Sequence, residues 1–209
     1  MNSRKLILIL CIFTWTFAAQ AAKERHYLPV EREDFTAKEK LLNFSIVYAA
    51  QWGIYYLTQK QAIKDHGSLE NYYTNPFRVR FDNDSFDYNI FQHTLSGQFY
   101  YLFYRSQAYT EKGAFFWSFM SSLAFEFTIE TVTENPSFQD IYQTPVFGTV
   151  AGIGIERLSR YLHGTNNFFA HGLAYLINPL SILPNFSRAL IAMPTVTKES
   201  AGIMAYYEF

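Results

Sequence analysis

The chain has 209 residues and a formal net charge of -1, so it makes one domain or at most two small ones, and its charge gives no general attraction for nucleic acid. Charged residues are 17% where about 25% is usual, and aromatics reach 19%, with 21 Phe and 16 Tyr. Bulk disorder is excluded, and a mean hydropathy of -0.07 is low for an ordinary polytopic membrane protein.

Residues 1–21 read as an export signal. Arg4 and Lys5 form a basic start, Leu6 to Phe17 an apolar stretch too short to span a bilayer, and Ala19-Gln20-Ala21 the small-x-small pattern cut by signal peptidase. The expected destination is the periplasm or outer membrane of a Gram-negative bacterium. Cleavage would remove Cys11, the single cysteine, so neither a disulfide nor a thiolate metal site is expected in the mature chain.

Residues 22–81 are expected to hold an N-terminal helix and a connector. Thr36-Ala37-Lys38-Glu39 is a capping box, and the charge-free run from Leu41 to Gln59 would reach roughly 28 Å as a helix. Asn43, Ser45, Gln51 and Gly53 interrupt its apolar surface, which favours a buried helix over one crossing a membrane. Asn75-Pro76 marks a break, after which Phe77 to Phe81 alternates like a short extended segment. Asp82, Asp84 and Asp87 do not make a calcium loop, because the sixth and twelfth positions hold Asp87 and His93 rather than Gly and Glu. A helix cap at Asp84 or Ser85 explains them better.

A second helix is predicted from Phe86 to about Tyr109, with Arg105 suited to its negative end and Asn89, His93, Gly97 and Tyr101 four apart along it. The third, from Gly113 to about Glu134, aligns Ser122, Glu126 and Glu130 among Phe125, Phe127 and Ile129. An ionised carboxylate among rings has to be paired, protonated or bound to something. Asn135-Pro136 predicts a short helix carrying Ser137 and Asp140, and Thr144-Pro145 predicts the start of another that runs to about Tyr161. In that helix Gly148 and Gly152 offer a smooth groove for a close crossing.

Between Tyr161 and Ser187 there is no Asp, Glu, Lys or Arg. A helix from Thr165 to Ile177, a break at Asn178-Pro179 and an apolar segment interrupted by Pro184 are expected there, with His163 and His171 as ordinary packed or capping histidines. In the tail 191–209, Ile203, Ala205, Tyr207 and Phe209 alternate as in the closing strand of an outer-membrane barrel.

The ordered set Asn89-x-x-x-His93, Gly97, Tyr100-Tyr101, Arg105-Ser106, Ser122, Glu126-x-x-x-Glu130, Pro136-Ser137-x-x-Asp140, Thr144-Pro145-Val146 and Arg157-Leu158-Ser159 resembles the bacterial DUF3943 family of uncharacterised exported proteins. The likeness spans about Asp82 to Leu162. It implies a helical envelope domain and brings no established activity. Thr94, Phe125 and Ile153 depart from the family's tendency toward Pro after the histidine, Trp before the first glutamate and a carboxylate after Gly152. The last departure leaves Glu156, one turn on, as the nearest substitute.

The expected fold is mainly α: a compact bundle of five to six helices, several nearly charge-free and aromatic, with its core at 82–190, a short extended connector and a C-terminal strand. His93, Glu126, Glu130 and Asp140 are the candidate catalytic groups, since imidazole plus carboxylates suits acid and base work; His93, Glu126 and Glu130 are the candidate ligands of a divalent metal. The alternative pairs the same groups internally, Arg105 with Glu126 or Glu130 and His93 with Asn89 or a carboxylate, beside Ser122 and the helix-contact residues Gly97, Gly148 and Gly152. Three roles stay open: an envelope structural or interaction module with lipid or an outer-membrane protein as partner, a metal- or carboxylate-dependent hydrolase of envelope lipid or glycan, and a small outer-membrane β-barrel. Ser121, Ser122 and Ser137 lack a Gly-x-Ser-x-Gly elbow and make poor nucleophiles.

Overall fold

The computed structural model describes residues 31–81, 86–165, 167–183, 190–196 and 201–207, with residues 86–89 and the last two stretches described through their backbone alone. The export signal with Cys11, the acidic run from Asp82 to Ser85, Pro184 and Phe209 lie outside the described residues. Two compact units divide the chain, residues 31–154 and the part from residue 155 onward.

The first unit opens with α1 (Ala37–Thr58), followed by α2 (Lys60–His66), α3 (Leu69–Thr74) and a 3-10 turn at Asn75–Phe77. The capping box forms at the start of α1. Glu39 N–H donates to Thr36 Oγ1 at 3.2 Å, and Thr36 N–H donates to Glu39 Oε2 at 2.8 Å. Asn43, Val47, Gln51 and Tyr55 are the buried residues of α1, a stripe four apart, while Leu41, Leu42, Ile46, Ile54 and Leu57 are exposed. The buried side is therefore largely polar. Gln51 Nε2 donates to the Ser121 carbonyl at 3.0 Å, Asn43 Nδ2 to the Tyr109 hydroxyl at 3.4 Å, and the Tyr55 hydroxyl bonds that of Thr133.

In the expected connector the extended stretch shrinks to the neighbourhood of Arg80. Arg80 N–H donates to the Pro136 carbonyl at 3.0 Å, and the Arg80 carbonyl accepts from Phe138 N–H at 2.9 Å. Next come α4 (Phe86–Ser106) and α5 (Glu111–Ala124), joined by a tight reversal in which Ala108 takes a positive φ of 71°. That unfavourable backbone is held by a 2.8 Å bond from Arg32 N–H to the Ala108 carbonyl. Thr110 caps α5 by accepting from Gly113 N–H at 3.1 Å. The predicted third helix continues past Ala124 as a π turn at Phe125–Ile129 and a 3-10 turn at Glu130–Val132.

One long helix, α6 (Phe138–His163), replaces the two that Asn135-Pro136 and Thr144-Pro145 predict, and Pro145 lies inside it. Proline withholds an N–H from the helix and disfavours helical backbone before it. Packing outweighs that preference here. A Cβ at Gly97 of α4 would stand 1.8 Å from the Thr144 carbonyl oxygen, and one at Gly148 would stand 2.3 Å from Gly97 C. The backbones of α4 and α6 thus touch at Gly97, Thr144 and Gly148, and Gly152 admits the Tyr101 ring in the same way.

From residue 155 onward the second unit contains the end of α6, α7 (Phe168–Ile177), a 3-10 turn at Pro179–Ile182, and an antiparallel hairpin of β1 (Leu190–Val196) and β2 (Ala201–Tyr207). Asn167 caps α7 in place of the expected Thr165, accepting from Phe169 N–H at 2.9 Å. Helices thus occupy most of residues 37–177, which overturns the barrel alternative. The alternating segment at Ile203–Tyr207 is one strand of that hairpin, whose register sets Leu190 opposite Tyr207. Among the described residues no helix is long and apolar enough to cross a membrane. The described interior is mostly polar: twenty polar or charged residues are buried against ten apolar ones.

Candidate functional site

Three elements of the first unit converge on one polar centre. α4 supplies His93, the π turn after α5 supplies Glu126, and the first turns of α6 supply Asp140 and Thr144. One ligand atom from each of His93, Glu126 and Asp140 lies within 4.8 Å of the others. Glu126 and Asp140 are 1% and 2% exposed, and His93 is half-buried.

The imidazole sits between two groups one turn apart on α6. His93 Nε2 is 3.3 Å from Asp140 Oδ1, and Nδ1 is 2.9 Å from Thr144 Oγ1. Nε2 thus faces the carboxylate at ion-pair distance, while Nδ1 and the Thr144 hydroxyl share a hydrogen bond whose donor is set by the ring's tautomer. Glu126 Oε2 accepts the Ser137 N–H at 2.9 Å, at the start of α6, where unpaired backbone donors and the helix dipole favour negative charge. The Ser137 hydroxyl accepts from Asp140 N–H at 3.4 Å, and Ser122 Oγ donates to the Asp140 carbonyl at 3.3 Å.

Glu130 stands beside this centre. Burial, the neighbouring Glu126 charge, a hydrogen bond shared with Glu126, and the charges of Asp140 and Glu134 together hold its carboxyl well above the usual carboxylate range. Its Oε2, a buried atom, accepts from no donor among the described residues.

The other sequence candidates fall as follows. Arg105 pairs with Glu31 at 2.7 Å and donates to the Tyr109 carbonyl at 2.6 Å, and Glu31, 74 residues away, carries no sequence signal that would point to it. Ser122 and the three glycines lie where α4, α5 and α6 meet this centre, whereas the side chain of Asn89 is outside the described residues. Ser137 and Thr144 are hydrogen-bond partners of this centre that the sequence did not single out for that role. Their signal was the four-residue step from Asp140 to Thr144, masked by Pro145. The cluster of three also takes Asp140 as its third member where the sequence offered Glu130 as a metal ligand.

The second unit has its own histidine pair. His163 Nδ1 is 3.1 Å from His171 Nδ1, and His163 Nε2 is 3.1 Å from Ser181 Oγ, which donates to the Asn178 carbonyl at 2.7 Å. Ser181 has spent its proton on Asn178, so His163 donates from Nε2 and accepts at Nδ1, as a neutral ring does. Burial, aided by His171, pushes His163 down to about 4. This is a packed histidine.

Neither a curated protein nor a solved structure matches the chain. Residues 78–180 match the family model described as Domain of unknown function (DUF3943), a span that holds His93, Glu126, Glu130 and Asp140 together with the Gly97 and Gly148 crossing. The motif likeness and this match agree, and residues 78–180 are a DUF3943 domain.

Proposed function

We propose that this chain is an exported cell-envelope protein whose helical unit serves as a structural and interaction module, with the His93, Glu126, Glu130 and Asp140 network setting the register of its helices. The observation that carries this reading is that His93 and Glu126 meet partners within the protein itself. His93 bonds Thr144 through Nδ1 and faces Asp140 at 3.3 Å through Nε2, and Glu126 is bonded to the α6 backbone. Paired groups of this kind satisfy burial and specify one arrangement. Cell fractionation tests export. Metal analysis of chelator-free protein, with thermal unfolding of His93→Ala and Glu126→Gln, tests the role of the network: lowered melting temperatures and no stoichiometric metal are expected.

A second reading is a divalent-metal or carboxylate hydrolase of envelope lipid or glycan, and the approach of His93, Glu126 and Asp140 to within 4.8 Å favours it. Imidazole plus two carboxylates is a donor set that suits zinc or another divalent ion. Stoichiometric metal that disappears in both variants would move the assignment to this second reading.

A further inference from the structure

The unit of residues 31–154 is arranged the wrong way round for water. On α1 the exposed side carries Leu41, Leu42, Ile46, Ile54 and Leu57, the last 77% exposed, while Asn43 and Gln51 are buried. α4 sets Phe91, Leu95 and Phe99 outside, four apart, with Arg105 and Ser106 inside beside Tyr101, Leu102 and Tyr104. α5 exposes Phe115 and Phe116 and buries Ser118, Ser121 and Ser122. α6 exposes Tyr142, Val146, Phe147 and Val150 and buries Asp140, Gln143, Thr144 and Thr149. A soluble monomer rarely exposes even one apolar patch beyond a few hundred Å².

We infer that these outward faces are covered by the acyl chains of a lipid bilayer, the helical unit being immersed in hydrocarbon with its polar groups turned inward. Lipid is the occupant because the apolar faces belong to four helices packed around one polar interior, and they look outward on several sides. A second copy or a protein partner covers a single patch, about 800 Å² on each side, and leaves the other faces in water. Charge is placed to match. The runs 41–59, 88–104, 113–125 and 141–155 contain no Asp, Glu, Lys or Arg, and at 1.5 Å per residue they measure about 20 to 28 Å, comparable with a hydrocarbon core of about 30 Å. Lys38 and Lys40 precede the α1 run and Lys60 and Lys64 follow it, where ammonium groups reach lipid phosphates.

Among the described residues no helix reaches the hydropathy of a lone membrane span because each spends one side on interior polar groups, and averaging around the helix measures both sides. Hydrocarbon contact does not require any single helix to cross by itself.

This inference deepens the module reading by naming lipid as its partner, and it is tested separately from export. The full chain with Trp15→Phe, leaving Trp52 and Trp117 as reporters, is reconstituted into phosphatidylethanolamine and phosphatidylglycerol vesicles with and without bromine on the acyl chains. Loss of tryptophan fluorescence in the brominated vesicles is expected, together with a need for detergent during extraction. In a second arm the full chain carries Leu42→Lys, Ile54→Lys, Phe91→Lys and Val150→Lys, and loss of vesicle flotation is expected. Unquenched fluorescence, or protein that is monodisperse in detergent-free buffer as a monomer or as an oligomer, overturns the inference. Quenching in a chain that cell fractionation finds unexported would keep the lipid inference and sink the envelope reading.

Discussion

The Glu126 carboxylate and the Ser137 backbone N–H, 2.9 Å apart, tie the π turn that follows α5 to the start of α6. A charge-assisted bond at a helix N-terminus is among the stronger single contacts available to a buried carboxylate. Removing the acceptor orphans a buried donor and takes away the neighbour of Glu130. Glu126→Ala should therefore cost about 3 kcal/mol in urea unfolding, and Glu126→Gln, which keeps an acceptor, about half as much.

The glycine crossing gives a sharp contrast. Gly97→Ala and Gly148→Ala would drive a methyl group into backbone atoms, and each should destabilise by about 3 kcal/mol or prevent folding. Nothing stands within 4 Å of a Cβ built at Gly154, so Gly154→Ala should raise stability by about 0.5 to 1 kcal/mol through helix propensity. Equal effects at the three positions, measured by thermal melts, would sink the account of the crossing.

His163 makes stability depend on pH in the acid range. In the unfolded chain its ring takes up a proton near 6.5, while the folded ring resists until about 4. Its contribution is complete above pH 6.5 and is lost as pH falls toward 4, by about 2 kcal/mol after allowance for partial solvation. His163→Gln should flatten the curve of unfolding free energy between pH 6.5 and 4.

Glu130 acts in the opposite sense. Its carboxyl stays protonated in the folded state well above the usual 4.5, so unfolding releases a proton as the medium becomes more alkaline. The contribution is greatest below 4.5 and is lost as pH rises toward the folded-state value. Glu130→Gln keeps the neutral form, and denaturant titrations from pH 5 to 8 should show it losing less stability than the parent chain. Parallel slopes would remove Glu130 from the pair with Glu126.

Much of the fold was legible in the sequence because its signals were local. The Thr36 to Glu39 box formed as read, the stripes from His93 to Tyr101 and from Ser122 to Glu130 turn inward, and the DUF3943 likeness matches residues 78–180. Pro145 misled because a local rule met a tertiary one: the Gly97 contact keeps helical a segment that proline alone would break. The π turn was invisible because one extra residue in a helical turn leaves no compositional mark, and it changes where Glu126 and Glu130 face. On α1 the sequence favoured a buried helix, and the structure covers only the stripe with Asn43, Val47, Gln51 and Tyr55. Hydrophobicity says that a face avoids water, and it does not say whether protein or something else covers that face.

The meeting of Gly97 with Gly148 and Thr144 also bears on how this gene can vary. Every missense change that one nucleotide can make in a glycine codon yields Ala, Ser, Cys, Val, Asp, Glu, Arg or Trp, and all of these carry a Cβ. At Gly97 that atom would land on a carbonyl oxygen and at Gly148 on a main-chain carbon, neither of which can rotate away. Positions 97 and 148 should consequently be silent sites in natural populations, where surviving codon changes are synonymous ones, while codon 154 drifts.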